Sequence, residues 1–240
     1  MHTEILSYDA DGLTMESHLY VDDRHGAGRR PAVLVFPEAF GLGDHAKSRA
    51  VRLAGLGYTV LACDIHGHGK LYTELAEVMP IVTALRDNPL KIRARAQAAL
   101  QTLLNRPEVD PTRIAAIGYC FGGTMSLELA RGGADIRAAV GFHSGLTTKR
   151  PDDAKQIKAK VLACIGADDP GITPADRAAF EQEMRAGGVD WQLHLYGGVV
   201  HSFTNKEAAK MGMPDFARYD AAADVRSWEA MIGLFAEVLA

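Results

Sequence analysis

The segment GYCFGG places Cys120 among glycines at the end of RIAAIGY, a run whose composition favours a β-strand. This arrangement is typical of a nucleophile elbow, in which a strand turns sharply into a helix and lifts one reactive side chain above the sheet. Gly118 and Gly122 fit such a turn because side chains at these positions would crowd it. The segment predicts unfavourable backbone angles and an exposed sulfur at Cys120, with the Phe121 amide directed at any oxyanion formed there. The alternative is an ordinary core cysteine buried in a strand.

Elsewhere the chain alternates short apolar runs with longer amphipathic stretches. Apolar runs of this length, bounded by turn residues, indicate strands that are buried on both faces of a sheet. They are PAVLVFPE, YTVLACDI, RIAAIGY, IRAAVGFH and AKVLACIG, and WQLHLY follows as a last, alternating strand. Helices are expected between them, near residues 45–55, from 88 onward, from 121 to 131, from 173 to 188 and over 221–239.

Residues 3–21 depart from this alternation and contain two short strands joined at Asp11-Gly12, a turn signal that predicts an antiparallel hairpin at one edge. Asn88 before Pro89 predicts a helix start, and so does Thr173-Pro174 with Asp176. The expected fold class is α/β, a mostly parallel central sheet with an antiparallel N-terminal edge and helices on both faces. No Pro/Ser-rich linker or repeat divides the chain, which favours a single domain over residues 1–240.

The distribution of charged and apolar residues argues against two classes of partner, nucleic acids and membranes. The net charge is −4, and Lys and Arg are spread along the chain, which argues against a nucleic-acid partner. No segment approaches the roughly 20 apolar residues of a membrane span. The N-terminal segment MHTEILSYDADG lacks the apolar core of a secretory signal. We expect a cytoplasmic protein with no membrane partner, present as a monomer or a homodimer.

Three cysteines, an odd number without CxxC spacing, argue against a disulfide framework or a thiolate metal site. Cys63 and Cys164 end buried-strand patterns and are expected to be small core residues. His66 and His68, in IHGHG, suggest a metal pair, but no third ligand stands at metal spacing and a glycine-rich turn is favoured. We therefore expect no metal and no other cofactor.

Polar residues gather where the predicted strands end, and in open α/β sheets reactive groups lie beyond the carboxyl ends of the strands. Such residues here are Glu38, Asp64, His66, Cys120, His143, Asp168, Asp169 and His201. A nucleophile, an acid and a histidine occur in that order along the chain, as a catalytic triad built on a nucleophile elbow requires.

His201, in the loop after the last strand, is the candidate general base. Imidazole titrates near neutral pH, so it can take the Cys120 proton and later return a proton to a leaving group. The alternative is a surface loop histidine, since the chain contains nine histidines. His194 lies in the middle of a predicted strand and is expected to be structural.

The acid that orients His201 is expected in GADDPGI, which offers two carboxylates. Counted from Gly166, the pattern G-x-x-D-x-x-[VI] selects Asp169, and Asp168 is the second candidate. For either residue the alternative is a loop acid that prepares the turn before Pro170.

The segments FPEAFGL, GYCFGG, GADDPGI and VVHSFTN, in this order and with these separations, resemble the dienelactone hydrolase family of α/β hydrolases. The resemblance extends from about residue 15 over nearly the whole chain. It implies the α/β-hydrolase fold and a triad of Cys120, Asp169 and His201. It also implies that the amide of Ala39 joins that of Phe121 in an oxyanion hole.

The resemblance also concerns the resting thiol and the substrate. In the family's proposed mechanism a glutamate, here Glu38, holds the resting thiol, and substrate binding moves it so that the sulfur ionises. Lactone-cleaving members carry an arginine four residues after the catalytic histidine, which helps to hold the substrate carboxylate, and this chain has Asn205 there. Lys206 and Arg86 are the alternative ligands for that carboxylate. The segment 66–89 is expected either to cover the pocket or to form a loosely packed surface helix.

These observations predict a cofactor-free carboxylesterase that hydrolyses a small-molecule ester or lactone through a Cys–His–Asp triad and a thioester acyl-enzyme. One alternative is a general esterase or thioesterase acting on other acyl substrates. The other is a non-catalytic binding or thiol-sensing protein with the same fold.

Overall fold

The computed structural model describes residues 1–26 and 28–240. The strands are β1 (His2–Ala10), β2 (Leu13–Val21), β3 (Arg30–Phe36), β4 (Thr59–Ala62), β5 (Val109–Tyr119), β6 (Ala138–Phe142), β7 (Lys160–Gly166) and β8 (Trp191–Tyr196). The α-helices are α1 (Asp44–Ala54), α2 (Leu75–Asp87), α3 (Pro89–Leu104), α4 (Phe121–Arg131), α5 (Pro174–Gly187) and α6 (Ala221–Val238). Within this described part of the chain, no helix combines the length and the apolar character needed to cross a membrane.

The strands form one mixed sheet in the order β1-β2-β4-β3-β5-β6-β7-β8. β1 and β2 are an antiparallel hairpin, and its turn residues Asp11 and Gly12 have φ angles of 51° and 75°, as a tight hairpin turn requires. β2 also pairs antiparallel with β4, whereas β3 to β8 run parallel to one another. The predicted fold class is therefore confirmed.

Helices cover both faces of the sheet, as predicted. Every residue of β4 and β6 is buried, because the central strands are packed on both sides. One face packs against α1 and α6 through residues such as Leu53 and Trp228, and the other packs against α3 and α5 through Ile92 and Phe180. The parallel strands end at one edge, so the loops that follow them meet there and carry the candidate site.

The predicted helix starts are present, with one difference. Thr173 and Asp176 form a capping box before α5, in which the side chain of each accepts the backbone amide of the other. Asn88 precedes α3 as predicted, but its side chain makes no capping hydrogen bond. The start of α3 is instead marked by Pro89, whose fixed φ suits the first position of a helix.

The segment 66–89 was expected either to cover the pocket or to form a surface helix. It contains the helix α2. Val78, Val82 and Leu85 on one side of α2 are buried in the core. Leu75 and Met79 remain more than a third exposed. One face of α2 is therefore anchored in the hydrophobic core.

Candidate active site

Cys120 lies at the turn between β5 and α4 with φ 53° and ψ −119°. Such angles are costly for a residue with a side chain, by about 1–3 kcal/mol, and persist only where the surroundings enforce them. The Cys120 amide donates to the carbonyl of Phe142 at 3.0 Å, and the half-buried side chain lines a cavity. The unfavourable backbone angles predicted for Cys120 are confirmed, and the residue does not lie within a strand.

The elbow requires glycine at two positions because backbone atoms occupy the space of a side chain. A Cβ atom on Gly118 would lie 2.0 Å from the carbonyl oxygen of Gly122. A Cβ atom on Gly122 would lie 2.2 Å from the carbonyl oxygen of Phe36. Neither contact can relax without displacing β3 or α4, so the crowding predicted for this turn is confirmed.

The structure brings Asp169 and His201 together. Asp169 follows β7 and His201 follows β8, and these neighbouring parallel strands end at the same edge of the sheet. His201 Nδ1 lies 2.7 Å from Asp169 Oδ2, and both side chains are buried. The other carboxylate oxygen of Asp169 accepts from the Gly171 amide at 2.8 Å. Asp168, the second candidate, has an exposed side chain.

His201 and the Cys120 thiol form a coupled pair. Burial raises the pKa of Cys120, but the charge of the neighbouring His201 outweighs burial, so this pKa lies below its usual value. Burial lowers the pKa of His201, yet Cys120 and Asp169 outweigh that effect and raise it. Both shifts favour a thiolate beside an imidazolium, the ion pair that a cysteine nucleophile requires.

Glu38, which follows β3, is held by three side chains on the cavity wall. Asn205 Nδ2 donates to its Oε2 at 2.7 Å and Ser202 Oγ donates to its Oε1 at 3.2 Å. His45 Nδ1 lies 3.5 Å from Oε2, a polar contact longer than a hydrogen bond. Burial raises the pKa of Glu38, but His45 and Asn205 outweigh it and lower that pKa, so the carboxylate is ionised.

These contacts differ from what the resemblance implies, namely that Glu38 holds the resting thiol of Cys120. Among the described residues, no hydrogen bond joins Glu38 to Cys120. The carboxylate accepts hydrogen bonds from Ser202 and Asn205 instead, and the thiol is influenced chiefly by the charge of His201. Asn205 stands at the position expected for a substrate ligand, but it binds Glu38 instead, and its Oδ1 accepts from the Glu207 amide at 2.9 Å.

Ala39 and Phe121, whose amides the resemblance assigns to an oxyanion hole, both line the cavity together with Cys120. Phe121 is the first residue of α4, so its amide has no acceptor within the helix. Ala39 lies in the turn after β3, and His66 Nε2 donates to its carbonyl oxygen at 2.7 Å. His66 thus holds this turn, and residues 1–26 and 28–240 contain no group of three or more side chains arranged to bind a metal ion.

A cavity of about 420 Å³ opens above Cys120. Arg86 and Asn205, two of the three residues expected to hold a substrate carboxylate, line this cavity. Lys206 was expected there and does not reach it, because its side chain borders a separate cavity beside Asp44. The apolar part of the wall consists of Phe40, Leu75, Met79, Val82, Phe121, Ile172, Ala208, Met211 and Phe216.

One side of this wall lies in segment 66–89, for which a pocket cover was one of the two expectations. Leu75, Met79, Val82 and Arg86 recur at the spacing of one helix face, so the helical period was a usable signal for α2. The sequence analysis did not point to Ala208, Lys210, Met211 and Phe216, which lie in a short 3₁₀ helix, Ala208–Met211, and in the loop after it, where no periodicity identifies them.

Asp169→Asn is expected to lower kcat/KM by about 10²- to 10⁴-fold, because an amide neither stabilises the imidazolium nor fixes the tautomer of His201. Asp168→Asn is the matched control, since it removes the neighbouring, exposed carboxylate and should leave kcat/KM nearly unchanged. Steady-state hydrolysis of an aryl ester measures both. Equal losses in the two variants would contradict the pairing of Asp169 with His201.

The chain is similar to known proteins over nearly its whole length. The model of the dienelactone hydrolase family matches residues 17–239. A solved dienelactone hydrolase-like promiscuous phosphotriesterase from metagenomic libraries is 43% identical, covers 100% of this chain and 99% of its own, and superposes with a TM-score of 0.95. Another solved structure, m3DLH, is 45% identical with the same coverage and a TM-score of 0.96. A protein of Bradyrhizobium sp, named "Probable 2-oxo-3-(5-oxofuran-2-ylidene)propanoate lactonase", is 32% identical over 85% of this chain and 86% of its own.

Proposed function

Because this chain belongs to the dienelactone hydrolase family of α/β hydrolases, we propose that it hydrolyses carboxylic esters or lactones through a thioester formed on Cys120. The observation that carries the proposal is the Asp169–His201 pair, 2.7 Å apart, beside a thiol whose pKa is lowered by the same histidine. The pair supplies the two things a cysteine hydrolase needs, an ionised nucleophile and a proton donor for the leaving group.

In the first step the Cys120 thiolate attacks the carbonyl carbon and a C–S bond forms. The carbonyl oxygen becomes an oxyanion beside the Ala39 and Phe121 amides, which donate to it. As the C–O bond breaks, the His201 imidazolium gives its Nε2 proton to the leaving oxygen. The products of this step are a thioester and an alcohol, which in a lactone remains attached to the acyl group.

In the second step neutral His201 takes a proton from water while the water oxygen attacks the thioester carbonyl. The tetrahedral intermediate expels the Cys120 thiolate and releases the carboxylic acid, so each turnover consumes one water. Asp169 accepts a hydrogen bond from His201 Nδ1 throughout, which orients Nε2 toward the sulfur.

The cavity favours a substrate with an apolar body and one anionic group. Its wall is mostly apolar, and the Arg86 guanidinium stands near the Phe121 ring, 5.9 Å from its centre. Asp87, the adjacent carboxylate, pairs with Lys149 at 3.3 Å, which leaves Arg86 to face the cavity. A lactone that carries a carboxylate fits this charge, and the name of the Bradyrhizobium relative describes a lactonase of a propanoate.

Arg86→Met is expected to raise KM about tenfold for a carboxylate-bearing lactone, which matches the loss of one charge-assisted hydrogen bond. The KM of a neutral aryl ester should change little, because that ester has no charge for Arg86 to bind. Lys206→Met is the control, since it removes the same charge from the neighbouring cavity. If both substrates lose affinity equally in Arg86→Met, the residue shapes the cavity and does not bind the carboxylate.

Capture of the acyl-enzyme tests the proposed function directly. After an acid quench of a reaction with an aryl ester, intact mass should increase by one acyl group, and peptide mapping should locate it on Cys120. Rates on lactones, aryl esters and acyl thioesters then separate a lactonase from a general esterase or thioesterase. If no adduct forms and no substrate is turned over, a binding or thiol-sensing protein with this fold is the better interpretation.

Phosphotriester hydrolysis is a second candidate activity, since the 43% identical neighbour is a promiscuous phosphotriesterase. In that reaction the Cys120 thiolate attacks phosphorus, an aryloxide leaves with the His201 proton, and water then cleaves the P–S bond. Incubation with a neutral dialkyl aryl phosphate measures it. Continued release of the phenol supports turnover, whereas a burst of one equivalent shows that the phosphorylated thiol is not hydrolysed.

A further inference from the structure

Next to the elbow, three polar side chains that the proposed reaction does not use form a row. They are His143, Thr204 and His45, and the row extends from the backbone of Cys120 to the carboxylate of Glu38. His143 and Thr204 are buried, with 0% and 1% exposure, and neither lines the cavity above the thiol. Any effect of these two residues on the reaction therefore passes through other groups.

The first contact of the row fixes a tautomer. The Cys120 amide donates to His143 Nδ1 at 3.2 Å, in addition to its bond to the Phe142 carbonyl. Because Nδ1 accepts this hydrogen bond it carries no proton, so the ring proton lies on Nε2. Nε2 donates that proton to Thr204 Oγ1 at 2.8 Å.

The charges around His143 favour the same neutral ring. Burial lowers the pKa of His143 well below its usual value, and the neighbouring His201, His45 and Arg49 lower this pKa further. The His143 ring also meets the His201 ring edge-on, with centroids 5.1 Å apart and planes at 67°. His143 therefore contacts both the nucleophile's backbone and the base.

Thr204 continues the row toward Glu38. Its hydroxyl oxygen accepts from His143, so its own proton is directed at His45 Nε2, 3.3 Å away. The Thr204 carbonyl accepts from Arg49 Nη2 at 2.5 Å, which holds the threonine in place. His45 Nδ1 in turn faces Glu38 Oε2 at 3.5 Å. Hydrogen bonds thus connect the Cys120 amide through His143 and Thr204 to His45, and a longer polar contact follows from His45 to Glu38.

We propose that His143 and Thr204 are positioning residues: the Thr204 hydroxyl keeps the His143 proton on Nε2, so that Nδ1 stays an acceptor for the Cys120 amide. Without the hydroxyl, the proton can occupy Nδ1, where it opposes the Cys120 N–H. The strained angles of Cys120 then lose one of the two bonds at its amide, and the sulfur moves away from His201. The inference concerns the site of the proposed function. It depends on that function only where kcat is measured, because the tautomer of His143 and the alkylation of Cys120 can be observed without ester hydrolysis.

Thr204→Val and Thr204→Ser are the matched test, because valine keeps the shape of threonine and serine keeps its hydroxyl. In Thr204→Val, kcat for an aryl ester should fall about 10- to 100-fold with KM little changed, since small displacements at a reacting group cost that much. Thr204→Ser should retain most of kcat. The positioning role is overturned if both variants lose kcat equally, or if neither does.

Two measurements need no ester turnover. ¹⁵N NMR of the histidine rings should show His143 protonated at Nε2 alone in the parent and in Thr204→Ser, and protonated at Nδ1 at least in part in Thr204→Val. Iodoacetamide should alkylate Cys120 more slowly in Thr204→Val alone. If these results hold while no ester is cleaved, only the proposed function fails. A parent protein with the proton on Nδ1 of His143 overturns the inference without any variant.

Discussion

Cys120→Ala is expected to lower kcat by about 10⁴-fold or more on every ester and lactone that the parent protein cleaves, as for other nucleophile deletions. Alanine removes the atom that bonds to the acyl group, so no thioester forms. The amides of Ala39 and Phe121 and the cavity remain, and KM should change little. Steady-state rates and the intact mass of the quenched protein measure the loss of turnover and of the acyl adduct.

Cys63→Ala is the matched control for this substitution. Cys63 is buried, its Sγ contacts the Leu61 carbonyl at 3.4 Å, and burial raises its pKa, so it is a protonated core thiol. At neutral pH iodoacetamide should label the parent protein and Cys63→Ala once, at Cys120, and Cys120→Ala not at all. Undiminished hydrolysis by Cys120→Ala would place the nucleophile elsewhere and refute the thioester mechanism.

His201→Ala is expected to slow hydrolysis by about 10⁴-fold or more and, in addition, to suppress alkylation of Cys120 at neutral pH. Burial and the Glu38 carboxylate both raise the pKa of Cys120, and without His201 the main opposing influence is gone. The pH at which alkylation is half-maximal should therefore move upward. Without His201, Cys120 is expected to remain a thiol at neutral pH.

The control for His201→Ala is His194→Ala. His194 lies in β8 and its ring contacts Gln192 at 3.2 Å, so its removal should leave both the alkylation profile and kcat unchanged. If His201→Ala keeps the parent profile, another group ionises the thiol. Arg86 is the first to examine, because its charge also lowers the pKa of Cys120.

The elements of the fold were predictable because their signals are local. The Asp11-Gly12 turn and the Thr173–Asp176 capping box each depend on residues within a few positions of one another. The lateral order of the strands is not local in this sense. β4 lies between β2 and β3, and this position follows from how the crossover connections pack, which no single segment encodes.

The site was predictable where a residue stands at the end of a strand, as Cys120 and Asp169 do. It was not predictable where the contact depends on how two loops meet. Asn205 binds Glu38 across 167 residues of sequence, and the pairing follows only from the packing of their loops. Lys206 shows the same limit. It is adjacent to Asn205 in the sequence but lines only the neighbouring cavity, and the residue type does not indicate which cavity a loop residue faces.

The elbow and α2 differ in how well each tolerates side-chain substitutions. Backbone atoms fill the space around Gly118 and Gly122, so neither position accepts a side chain without displacing β3 or α4. On α2, Leu75 and Met79 line the cavity yet remain partly open to solvent, and new side chains there meet little resistance. Natural or laboratory evolution can therefore alter the range of substrates by substitutions on one helix while the inherited chemistry stays intact.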